Sequence, residues 1–125
     1  KFLAQSKSRK IHIIGYLTPY SNEIYKSMLK MENKFRHVFQ LEHSLQPIFE
    51  GFGFKLYDFS DITTAGLLDQ EMLDEVHASE KASLKLFLLM HAREPKLWPY
   101  SSTYYLKKRL NQASSRLFIF EGNEF

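Results

Sequence analysis

The sequence predicts an α/β fold built on a parallel sheet. Two short apolar runs, Lys10–Leu17 (KIHIIGYL) and Phe54–Phe59 (FKLYDF), are separated by a long stretch of helical periodicity, and a further helical pattern follows the second run. A near-continuous apolar strand such as the first needs cover on both faces, as in a parallel sheet. Strand, helices and strand in that order make a βαβ-type unit, for which a right-handed parallel crossover is expected.

The elements follow in order. The first strand ends at Thr18-Pro19, and Ser21 or Asn22 caps a helix in which Ile24, Tyr25, Met28 and Leu29 keep helical spacing to about Glu32. A second helix is predicted over Lys34–Phe49, with Phe35, Val38, Phe39, Leu41, Leu45, Ile48 and Phe49 inward, a disturbance at Pro47, and stop signals at Gly51 and Gly53. The second strand alternates and ends at Ser60-Asp61; Thr63–Gln70 reads as loop with one helical turn at most. Ser79 caps a strong helix to His91, with Ala82, Leu86, Leu89 and Met90 as its inward stripe. Pro95 and Pro99 break the chain before a final amphipathic helix over Thr103–Gln112, and Leu117–Phe120 is expected as an edge strand or a packed tail.

At 125 residues with 44% hydrophobic content the chain fits one domain with a packed core. Residues 1–125 are read as one unit, with 93–125 a helical extension of it. Lys and Arg are interspersed with acidic residues, so a net charge of +3 is a weak argument for nucleic acid, and none is expected as a partner. Absence of Cys excludes disulfides and thiolate chemistry and leaves the compartment open. No apolar run approaches the ~20 residues of a membrane span; Lys85 interrupts the longest. Two strands are few for an independent parallel sheet, where ~4–6 are typical. The others are expected from chain before Lys1, consistent with a processed or cloned piece, or from a second copy, which predicts self-association.

The segment Asp69–Lys81 (DQEMLDEVHASEK) carries the candidate chemistry. Asp74 and His77 are three residues apart in a loop beyond the second strand, a spacing that lets a turn bring the carboxylate to one imidazole nitrogen. The other nitrogen is then left to a cleft, as a general base requires. Ligand sites in open parallel sheets lie beyond the carboxyl ends of the strands, where this loop belongs. Asp-x-x-His by itself is a short pattern that arises by chance. The competing reading has Asp74 accepting a local turn hydrogen bond and His77 partly buried beside a helix cap.

Three blocks in order resemble the C-terminal half of SGNH (GDSL-like) hydrolases and acyltransferases. Ile11–Tyr20 (IHIIGYLTPY) is similar to a hydrophobic strand, a Gly and a Pro-Pro-Tyr-like turn entering a helix. Gly53–Ser60 (GFKLYDFS) resembles the next strand, and Asp74–Lys81 (DEVHASEK) the block of Asp-x-x-His and a helix start. The resemblance covers most of residues 8–92. It implies a flavodoxin-like three-layer α/β/α domain, here incomplete, in which Asp74 orients His77. His77 would be the base and then the acid in hydrolysis or transfer of an O-acyl ester, for example of an acylated carbohydrate, by serine acylation without metal or organic cofactor. Ala78 stands where the family has Pro, and Glu75 where it has a small residue. No Ser lies in a Gly-Asp-Ser-like context, so no nucleophile is assigned and the chain alone is expected to be nearly inactive.

The remaining candidates are read as structural. His12 lies between Ile11 and Ile13 of the first strand; His37 and His43, six apart on one predicted helix, face apart and form no metal pair; His91 sits at a helix end favourable to a cation. Asp58 and Asp61 are read as strand terminators. Trp98, Tyr100, Tyr104 and Tyr105 with Lys107, Lys108 and Arg109 combine aromatic and positive groups, which suits sugars or nucleic acid but is read as the solvated face of a helix. The alternative to an enzyme is an interaction module that pairs through an exposed strand edge, with Asp74 and His77 structural.

Overall fold

Both apolar runs become strands in the computed structural model, which describes residues 1–120. Strands β1 (Ile14–Leu17) and β2 (Lys55–Asp58) pair in parallel, with Ile14 opposite Lys55 and Leu17 opposite Asp58. The protein is therefore mixed α/β with a small two-stranded parallel sheet. β1 starts later than its apolar run because an unforeseen helix, α1 (Phe2–Ser8), precedes it. The chain leaves α1 through Lys10, at φ 58°, with the amides of Lys10 and Ile11 bonded back to the carbonyls of Lys7 and Ser6. Only past that turn can the backbone extend.

Between the strands run α2 (Asn22–Lys30), α3 (Glu32–Phe39) and α4 (Leu41–Gly51). Ser21 caps α2 by accepting from the Ile24 amide. The single helix expected over Lys34–Phe49 is two helices parted at Gln40, and α4 accommodates Pro47 in its interior. His37 and His43 accordingly stand on different helices. α4 ends with Gly53 at φ 75°, where the amides of Gly53 and Phe54 reach the carbonyls of Glu50 and Phe49. This is the double closure for which a left-handed glycine is favoured.

Alternation along the strands sorts the sheet into two faces. Gly15 and Leu56, opposite one another, take the ring of Phe49 from α4; a β-carbon on Gly15 would lie 2.6 Å from Phe49 Cε1. Tyr57 and Phe59 point the other way, into a core with Ile62, Leu67, Met72, Ala82 and Leu86. Ala82 and Leu86 come from α5 (Glu80–Arg93), whose N-cap Ser79 is fully buried and accepts from the Ala82 amide. Helices thus lie on opposite faces of the two strands. β1 remains the less covered strand, and Tyr16 is 48% exposed.

After α5 the chain makes a 3₁₀ turn over Pro95–Tyr100 and enters α6 (Thr103–Gln112), which packs on α5. Leu117–Phe120 is a packed tail and no strand. Its Ile119 is buried and donates its amide to Glu80 Oε2 at 2.9 Å, and Leu117 accepts from the Lys81 amide. Among the described residues no helix is long and apolar enough to cross a membrane.

Candidate active site

Between β2 and α5 the chain folds into a small closed loop. Two 3₁₀ turns, Ile62–Ala65 and Asp69–Glu71, lead to an antiparallel bridge between Met72 and Ala78, and Leu73 donates its amide to the His77 carbonyl. Residues 73–77 are the tip of this closure. Three ties hold the loop in place. Both carboxylate oxygens of Asp69 accept from the first amides of α2, Asn22 at 2.6 Å and Glu23 at 3.4 Å, where the helix dipole favours a negative charge. The Glu75 carbonyl accepts from the Ser21 amide at 2.8 Å. The nearly buried Glu71 carboxylate takes Lys85 Nζ of α5 at 2.5 Å and the Leu68 amide at 3.2 Å.

At the tip Asp74 and His77 meet. His77 Nδ1 lies 2.9 Å from Asp74 Oδ1 and 2.8 Å from Oδ2. The Val76 and His77 amides both donate to Asp74 Oδ1 at 2.9 Å. These donors, the Val76 amide foremost and then the His77 ring, hold the Asp74 carboxyl below the usual aspartate range. The local turn bonds and the imidazole contact, set against each other in the sequence, therefore occur together. His77 is not a partly buried cap neighbour: its side chain is 70% exposed.

With Nδ1 facing a carboxylate, the neutral ring assigns its proton there and leaves Nε2 as acceptor. His77 lines a cleft of about 390 Å³ whose other walls include Tyr16, Thr18, Pro19, Ser83, Phe87 and Met90. Thr18 and Pro19 directly follow β1, so these walls of the cleft lie past the carboxyl end of the strand, where the Tyr20–Asp61 bridge continues the pairing. An imidazole braced by a carboxylate on one nitrogen, in the wall of a cleft, can relay protons through the other.

The other histidines have different surroundings. His12 Nε2 lies 3.7 Å from buried Glu94, its Nδ1 3.2 Å from Lys96 Nζ, and its ring meets Phe54 edge-on. His91 is buried in the last turn of α5, and its carbonyl accepts from the Trp98 indole at 2.9 Å. Asp58 and Asp61 bond locally, to the Ser60 amide and to Thr63. Tyr100 and Tyr104 are strongly exposed. Among the described residues no three His, Asp or Glu side chains converge as metal ligands. Sequence reading missed Asp69, Glu71 and Lys85, the residues that brace the loop. Their separations of 47 residues from Asp69 to Asn22 and 14 from Glu71 to Lys85 belong to no local motif. Comparison with protein-family models, curated proteins and solved structures finds no match.

Proposed function

We propose that this chain is the acid–base half of a serine esterase or O-acyltransferase of the SGNH (GDSL-like) type, a portion of a flavodoxin-like α/β/α domain. The observation that carries the reading is the contact of both Asp74 oxygens with His77 Nδ1, beside a cleft past the strand ends. A serine hydroxyl from outside these residues gives its proton to Nε2 while its oxygen attacks the ester carbonyl. Asp74 stabilises the resulting imidazolium. Collapse of the tetrahedral intermediate breaks the bond to the alcohol, which leaves with the proton from Nε2. Water or an acceptor alcohol then gives its proton to Nε2 and attacks the acyl-serine carbonyl. As the serine leaves, it recovers that proton. The oxyanion donors belong with the serine, so this chain by itself leaves ester turnover close to background.

Two measurements test the reading. Nitrogen NMR of the imidazole in neutral solution shows His77 protonated at Nδ1 with Nε2 an acceptor; the reverse tautomer would remove the base. In the assembled enzyme, His77→Ala lowers p-nitrophenyl acetate turnover by about 10²-fold or more. Undiminished turnover refutes the assignment.

A second reading has its own observation. β1 is an apolar strand with one hydrogen-bonded neighbour and an exposed Tyr16, which suits an interaction module that pairs along this edge.

A further inference from the structure

We infer that the apolar groove between α2 and α3 binds the hydrocarbon chain of the acyl group, so that the ester handled at His77 carries a chain longer than acetyl. This deepens the ester reading and rests on it. The groove is lined chiefly by Ile24, Met28, Met31, Phe35, Val38 and Val76, and encloses about 390 Å³. That lies within the ~300–1,000 Å³ usual for small-molecule sites. Val76 also lines the cleft of His77 and precedes it in the chain, while the adjacent Pro19 and Tyr20 line one space each. Groove and cleft share the Val76 wall, one residue from His77, so the carbonyl of a bound ester would sit by the imidazole and its chain would continue past Val76.

The chemistry of the walls selects the occupant. Apart from Tyr20, Ser27 and His37 the lining side chains are apolar. A peptide laid there would bury amides and carbonyls with few partners, at a cost that a hydrocarbon does not meet. Two methionines supply a surface that adapts to a flexible chain. Met31 and Val76 are 46% and 43% exposed, so the apolar lining is open to a ligand from solution.

The test is methyl NMR of the intact chain titrated with sodium dodecanoate below its micelle concentration, with sodium acetate as the short comparator. The expected result is saturable shifts of the Ile24, Met28, Met31, Val38 and Val76 methyls with dodecanoate and none with acetate. Met31→Glu, at an exposed position that leaves the core intact, weakens binding about tenfold or more by placing a charge against the chain. Lys107→Ala, on α6 and outside the groove lining, leaves the affinity unchanged.

Absence of saturation, shifts spread over apolar residues elsewhere, or groove shifts that follow protein concentration alone would each overturn the inference. The last outcome would mean that a second copy covers the groove. Dodecanoate binding together with a His77 proton on Nε2 would support the hydrocarbon site while removing the ester chemistry. The opposite pair of results would remove the groove alone.

Discussion

Asp74 receives donors from two sources, the backbone of its own turn and the ring of His77, and the two reinforce one another. The amides of Val76 and His77 fix the carboxylate, and the fixed carboxylate orients the imidazole. Because the folded carboxyl titrates below its unfolded value, its stabilising effect is complete above the usual aspartate range. The effect is lost as pH falls through the folded value. Carbon-detected titration of Asp74 is expected to give a midpoint below that of a model aspartate, and Asp74→Asn to remove this contribution from the acid limb of the stability curve. The pair itself was legible in the sequence, since a three-residue spacing is enough for a turn to close. Its exposure was not legible, because burial depends on what the rest of the chain lays over the loop. Lys10 was equally opaque: a left-handed lysine carries no compositional sign, whereas Gly53, in the same conformation, was readable as a stop.

At the scale of elements, close approach decides what the sequence can change. Gly15→Ala would drive a methyl group into the Phe49 ring and toward Leu56. Urea unfolding is expected to show a loss of about 1–3 kcal/mol, the usual cost of overpacking, and unchanged stability would mean that α4 shifts freely on the sheet. The loop between β2 and α5 depends on Glu71. Glu71→Ala leaves the Leu68 amide and Lys85 without their acceptor, a loss of about 1–3 kcal/mol. Hydrogen exchange at Leu68 should quicken, while exchange at Tyr57 in β2 follows only the global change. Periodicity located α2, α5 and α6, the first two with the help of the caps at Ser21 and Ser79; α6 spans the expected Thr103–Gln112. The break at Gln40 was missed because Pro47 drew the expected disturbance to itself, and apolar spacing continues across both helices.

For the molecule as a whole, the two-stranded sheet is the governing fact. An unpaired strand edge is a template for another strand. Sedimentation is expected to show self-association that rises with concentration, and a Tyr16→Lys variant to reduce it by placing a charge at the half-exposed position of β1. A concentration-independent monomer would argue against pairing along that edge. The α/β class and the two paired strands were legible from the order of apolar runs, because each run is bounded by polar or turn-forming residues, whereas Leu117–Phe120 was open between edge strand and tail. One detail has optical use. The single tryptophan, Trp98, donates its indole proton to the carbonyl of His91 at the end of α5, while Ser79 anchors the beginning. The rod between them is about 20 Å long at 1.5 Å per residue. Emission colour consequently reports fraying at the end remote from the imidazole, and a melt followed by fluorescence that precedes one followed by far-ultraviolet dichroism would reveal the carboxyl-terminal third loosening before the sheet.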